Sequence, residues 1–153
     1  MNKKIETILW SIALPGFAQL LNKEFLKGFL FVILEFIINV NSHFNRAIML
    51  SFLGDIDQAF EVLDFGWILF YPCLYFFAMW DAYRSVLQQL KEEIAYQFIP
   101  FVSCAYFVTV GIMFSPRVQL FHYHLGPIFT PMLFVIPGAS IGLFAQFLLS
   151  RRK

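Results

Sequence analysis

Glu35, Asn39 and His43 follow one another at steps of four, the spacing that stacks side chains along one face of a helix. Apart from Lys27 and these groups, residues 25–40 are almost wholly apolar, and an ionisable group at membrane depth is costly unless paired or hydrated. Two chemistries fit such a stripe. It could form an ion or proton path or a polar ligand site, or it could be a hydrogen-bond seam in which Glu35 bonds a neighbouring helix through Gln146, Tyr71 or Ser140. The seam is the expectation, because polar groups inside helical bundles commonly serve as interhelical bonds.

The other reactive residue types are sparse. His122 and His124 alternate beside Phe121 and Tyr123; two imidazoles without a nearby Cys or carboxylate do not complete a metal site, so an aromatic interface belt is expected. Asp57, Glu61 and Asp64 make the densest acidic patch, most simply a solvated helix face. Cys73 and Cys104 sit in apolar runs outside any ligand or redox spacing and read as small hydrophobes. No Gly-x-Ser-x-Gly, His-Glu-x-x-His, phosphate-binding loop or basic patch interleaved with aromatics occurs. No catalytic residue, metal site or cofactor is therefore expected, and no nucleic-acid partner.

The elements that must hold these residues are membrane helices. The 153 residues are 59% hydrophobic, 20% aromatic and 14% charged, where soluble domains carry about 25% charged residues. Apolar runs cover residues 5–21, 25–40, 65–80, 94–114 and 127–150. The last two are long enough to span about 30 Å of hydrocarbon, and the first three lie near the lower limit. The first also resembles a secretory leader in its basic head and apolar body, but Pro15 and Gly16 interrupt it and further apolar runs follow, so it reads as a retained kinked or re-entrant element.

Charge placement arbitrates the topology. If the first run enters and returns on one side, Lys3, Lys4, Lys23, Lys27, Arg84, Lys91, Arg151, Arg152 and Lys153 share a face that leaves only Arg46 and Arg117 opposite. If it spans, Lys3 and Lys4 move to the wrong side. The expected fold class is thus all-α, a polytopic membrane bundle of four spans plus an amino-terminal hairpin over residues 5–28, with both termini cytoplasmic; five spans is the alternative. A single domain is expected. Between spans, Leu87, Leu90 and Ile94 recur at helical spacing within residues 84–97, which predicts an interfacial amphipathic helix. Met49, Phe52, Leu53, Ile56, Phe60 and Leu63 predict the apolar face of one external element opposite the acidic patch.

The string Leu-Pro-Gly-Phe-Ala-Gln from Leu14, with Lys27 and Gly28 after a short turn, resembles the TM2-domain-like group of small bacterial membrane proteins in Pro15, Gly16, Gln19, Asn22, Lys27 and Gly28. Ala18, Leu21 and Lys23 depart from the group's usual Gly, aromatic and Gly. The later Asp81-Ala-Tyr83-Arg84 is similar to an ending found after a span in related proteins. The resemblance implies a hairpin architecture and no assigned activity. Physically, Gln19 is expected to satisfy backbone groups freed at Pro15-Gly16, and Asp81 and Arg84 to pair across one turn or to act with Tyr83 as an interface anchor. Gly138 and Gly142 form a small-xxx-small face for close helix approach, toward this chain or another.

These readings converge on a small non-enzymatic protein of the bacterial cell membrane, a scaffold or accessory subunit. Its expected partners are the lipid bilayer and another membrane protein or a second copy of itself. The alternative is a channel or transporter component using Glu35, Asn39 and His43.

Overall fold

The computed structural model describes residues 3–120 and 123–151, and it is all-helical apart from one two-stranded ribbon. The chain order is α1 (Lys3–Ala13), α2 (Phe17–Leu21), α3 (Phe25–Ser42), α4 (Phe44–Leu53), α5 (Ile56–Val62), α6 (Phe65–Ile68), α7 (Tyr71–Leu90), α8 (Ile99–Phe114), β1 (Gln119–Leu120), β2 (Tyr123–His124) and α9 (Gly126–Ser150). The punctuation follows backbone chemistry. Pro72, Pro100 and Pro127 sit in the first turns of α7, α8 and α9, where a missing N–H costs nothing. His43, Gly54 and Lys91 end α3, α4 and α7 in the left-handed conformation, which satisfies the last carbonyls.

Helices α3, α7, α8 and α9 run alternately up and down. Side-chain pairs fix the register: Lys27 meets Asp81, Phe31 meets Phe77, Phe44 meets Tyr71, and Tyr83 meets Phe101. Among the described residues two helices are long and apolar enough to cross a membrane, α3 and α9, and a third span arises if Ile56–Val62 and Phe65–Leu90, bent by 83°, count as one. With 16 residues, α8 reaches about 24 Å at a rise of about 1.5 Å per residue.

The amino-terminal segment goes in and comes back. Lys3 and Lys4 bond Gln89 and Glu92 at the end of α7, while the Tyr75 hydroxyl, four turns earlier on α7, donates to the Ile12 carbonyl. Pro15-Gly16 then reverses the chain, and Glu24 and Lys27 lie again beside Ser85 and Asp81. Both ends of this hairpin therefore sit near the same end of α7. Its buried face is made of Thr7 and Ser11, whose hydroxyls bond carbonyls one turn back and so bury no orphan donor.

The surface is inverted relative to a soluble protein. Leu26, Phe36 and Phe144 are more than 60% exposed while Gln19 is fully buried, and apolar exposure on this scale needs a lipid or protein cover. At the end opposite the hairpin entry, α4–α6 form a cap whose core is Ala47, Leu63, Ile68, Ile112 and Ile128.

Several expectations are corrected here. The external element is not one helix: Gly54, at φ 87, splits it, and Met49, Phe52 and Leu53 are exposed while Ala47, Leu50 and Ser51 face inward. Asp64 lies off the Asp57–Glu61 face, because its carboxylate accepts from the Trp67 N–H at 3.0 Å and caps α6. The helix expected over residues 84–97 is the end of α7, which stops at Leu90, and residues 92–98 are irregular. Pro100 favours a helix start at Ile99 and restricts the residue before it, so the apolar spacing of Leu87, Leu90 and Ile94 does not extend a helix.

Candidate functional site

Polar side chains gather at three places. The first is a latch between the hairpin and α7. Gln19 donates from Nε2 to the Ala78 carbonyl at 2.7 Å and lies 3.3 Å from Asp81 Oδ2. Lys27 donates to Asp81 Oδ1 at 2.9 Å and pairs with Glu24 at 3.3 Å. Ser85 closes the set by donating to Glu24 at 2.6 Å. The backbone beneath is close: a Cβ at Gly16, where φ is 96, would stand 2.5 Å from the Gly28 carbonyl oxygen, and one at Gly28 would stand 2.5 Å from Leu20. Only glycine fits both the left-handed φ and that approach.

The latch joins residues 15–28 to residues 81–84, and it corrects the role expected of Gln19 and the pairing expected of Asp81 with Arg84. Gln19 serves α7 rather than the backbone freed at Pro15-Gly16, because its amide reaches a carbonyl of the neighbouring helix. Asp81 pairs with Lys27, and Arg84 instead lies 5.4 Å over the Trp80 ring. Tyr83 packs on Phe101, with ring centroids 5.8 Å apart. Glu24 and Ser85 were not singled out in the sequence, since neither lies in an apolar run at telling spacing.

The second place is an open cleft of about 390 Å³ lined by Glu35, Asn39, Asn45, Phe36, Phe44 and Tyr71 and bordered by Ala13 and Leu14 at the hairpin tip. Asn39 Nδ2 donates to Glu35 at 3.4 Å and to Asn45 Oδ1 at 3.1 Å, and Asn39 Oδ1 accepts from the Asn45 backbone at 3.4 Å. His43 is not part of it. That residue is the left-handed hinge after α3, φ 56, with an exposed ring, so the helical spacing that aligned it with Asn39 ends one residue too early. Asn45 takes its place. Of the expected seam partners Tyr71 lines the cleft, whereas Gln146 bonds the Ala95 carbonyl at 3.0 Å and Ser140 faces outward on α9.

The third place is a groove of about 530 Å³ beside the end of α7, lined by Arg84, Gln88, Glu92, Glu93, Ala95 and Gln97 among others. Glu92 takes part in the ion pair with Lys4, whose ammonium the carboxylate holds above its ordinary 10.5. Gln97 Oε1 is buried here without a partner among the described residues, an arrangement that costs free energy.

No family model, characterised protein or solved structure matches this chain. The site residues therefore have to be interpreted from their own geometry. Gly138 and Gly142 face α8 of the same chain: a Cβ at Gly138 would meet Cys104 Cα at 2.9 Å, and one at Gly142 would meet Pro100 Cα at 2.6 Å. Gly111 repeats the device from the other side, against Pro131 Cα at 2.8 Å. His124 is exposed and shares a 2.7 Å contact with Gln119, and His122 lies outside the described residues. Among the described residues no group of three or more His, Cys, Asp or Glu side chains is placed to hold a metal ion. Cys73 is exposed and Cys104 buried, both as free thiols.

Proposed function

We propose that the chain is a four-span protein of the bacterial cell membrane, with a re-entrant amino-terminal hairpin and cytoplasmic termini, that works without enzymatic activity as an accessory or scaffold subunit of a membrane complex. Four spans follow from counting α3, α7, α8 and α9, and the orientation follows from the basic residues gathered where α1 and α3 begin and α7 and α9 end. Kinship with TM2-domain-like proteins enters as hairpin architecture alone, since a shared fold carries no activity with it.

The observation that carries the accessory reading is the groove beside the end of α7. The latch uses its charged groups internally, but the groove presents both signs of charge, and among the described residues neither Arg84 nor Glu93 takes part in an ion pair. A cytoplasmic segment of another membrane protein, bringing charges complementary to Arg84 and Glu93, fits it. The test is purification in mild detergent followed by mass spectrometry, for wild type and for a charge-reversed Arg84→Glu/Glu93→Lys variant. A second membrane protein held at fixed stoichiometry by wild type and lost from the variant is expected. A wild type that emerges alone overturns the reading, and one that emerges only with copies of itself replaces the accessory role with a homo-oligomeric scaffold.

The channel or transporter reading has the Glu35 cleft in its favour. Against it, α3 offers no polar side chain between Lys27 and Glu35, and buried Pro15, Gly16 and Phe31 lie between the cleft and the latch. Flux into liposomes that depends on Glu35 would restore it.

A further inference from the structure

The Glu35 cleft contains a charge problem that the chain does not solve. Glu35 lies eight residues beyond Lys27 on α3, about 12 Å further along the axis, in the middle of an apolar helix. An ionised carboxylate at that depth needs a neutralising partner. Among the described residues no Lys, Arg or His pairs with it, since the ion pairs are Lys4 with Glu92 and Lys27 with Glu24 and Asp81. The Asn39 amide gives it one bond at the long distance of 3.4 Å, and its carboxylate is left open to the cleft.

The rest of the lining says what kind of partner fits. The cleft, at about 390 Å³, is more than ten times the roughly 30 Å³ share of one water and falls within the range of small-molecule pockets. It is oversized for a bare metal ion, and the aromatic walls are poor ligands for one. Phe44 and Tyr71 stand with ring centroids 4.8 Å apart, and Tyr71 is also stacked on Tyr75 at 5.7 Å; of the two, Phe44 keeps a face without an aromatic neighbour among the described residues, and such a face attracts an organic cation. Asn39 Oδ1 and Asn45 Oδ1 each keep a second lone pair after their mutual bonds, which suits an N–H donor.

We propose that this cleft binds a small organic ammonium group, held by the Glu35 carboxylate, the Phe44 ring and the two asparagine carbonyls. Such a group has two sources, a free amine from the aqueous side or the headgroup of an amine-bearing lipid, which could approach past exposed Phe36 and Val40. The inference goes beyond the accessory role and stands whether or not a partner protein is found.

The test is calorimetric titration of the purified full chain in phosphatidylglycerol nanodiscs with tetramethylammonium and with ethanolammonium, at constant ionic strength. Saturable binding is expected, weakened at least tenfold by Glu35→Gln and several-fold by Phe44→Leu, and unchanged by Glu61→Gln on the exposed cap. Circular dichroism and elution volume establish that each variant is folded, and Asn45→Ala substitutes for Glu35→Gln if the latter is not. Repeating the titration in phosphatidylethanolamine nanodiscs separates the sources: a weakened response identifies the headgroup amine, and an unchanged one identifies a free amine. Folded wild type that binds neither probe, or a folded Glu35→Gln that binds both as well as wild type, overturns the proposal.

Discussion

Replacing Lys27 by Met should destabilise the protein more than replacing Asp81 by Asn, although each change removes the same ion pair. The two partners differ in their access to water. The Asp81 side chain is 14% exposed and that of Lys27 49%. Losing one member of a fully buried pair costs about 3–5 kcal/mol because the other charge is left without compensation, whereas exposed pairs contribute about 0–1 kcal/mol. In Lys27→Met the carboxylates of Asp81 and Glu24 lose their cation in a largely dry setting, and the half-exposed lysine discounts the loss to about 1–2 kcal/mol. In Asp81→Asn the new amide oxygen still accepts from Gln19 while its NH2 group faces the Lys27 ammonium, which is half-exposed and keeps Glu24, so the cost is expected to be about 0.5–1 kcal/mol, on the order of one hydrogen bond.

The double variant separates the two mechanisms. With Asp81 neutral, no stranded charge remains there when Lys27 is removed, so Lys27→Met/Asp81→Asn should be less destabilised than the sum of the singles by about 1 kcal/mol. The assay is equilibrium unfolding in mixed micelles on all four proteins, with hairpin proteolysis as a local readout. Equal costs for the two singles that simply add would refute the reasoning. The hairpin would then be held by the Gly16 to Gly28 approach and the Gln19 bond alone.

Other expectations follow from the same geometry. Gly142→Leu must push α8 from α9, since its Cβ alone would come within 2.6 Å of Pro100 Cα; a loss of about 1–3 kcal/mol is expected, while Ser140→Ala on the outward face stays near wild type in the same unfolding series. Gly16→Ala meets both a left-handed backbone penalty of about 1–2 kcal/mol and the Gly28 carbonyl, so its thermal unfolding in detergent should fall below that of Gly54→Ala, where an added Cβ meets nothing within 4 Å. Single cysteines at Lys23 and Ser150, in a background lacking Cys73 and Cys104, should react with an impermeant maleimide only from the cytoplasmic side, and one at Gln58 only from outside. Reaction of Lys23 and Ser150 from opposite sides would remove the four-span topology. The Lys4 ammonium is raised by Glu92, so its contribution is complete below about pH 10.5, the ordinary lysine value, and fades as pH rises above it; Glu92→Gln should abolish that alkaline limb and, for so exposed a pair, change neutral-pH stability little.

The sequence displayed helices where apolar runs are long and bounded, and it concealed whatever depends on a neighbour. The 127–150 run and the Pro15-Gly16 break each became the expected element because composition and a backbone constraint agree there. His43 was misplaced because its spacing continues the periodicity of α3 while its backbone conformation ends it, and nothing in the residue type announces a left-handed hinge. The segment over residues 84–97 failed for the opposite reason: its helical spacing is real as far as Leu90, and Lys91 at φ 56 stops it. The sequence singles out Gln19 and Lys27 in one motif and Asp81 in another, and only the fold brings the two together across more than fifty residues.

The latch and the cleft also constrain each other. The hairpin that the latch fixes from one side supplies Ala13 and Leu14 to the cleft on the other, and the Tyr75 bond to Ile12 pins the tip one turn of α7 from Tyr71. Weakening the latch therefore frees the tip, and a ligand bound against that tip must resist the freeing by the same free energy. This linkage gives the two polar clusters a relation that neither has alone: occupation of the Glu35 cleft would tighten the hairpin against α7, next to the groove where a cytoplasmic partner would sit. Residues 3 and 4, tied to Gln89 and Glu92, are the mechanical link between hairpin and groove. An ammonium ligand that protects the amino-terminal lysines from chemical labelling in wild type, but not in Lys27→Met, would place the two clusters in one two-state element.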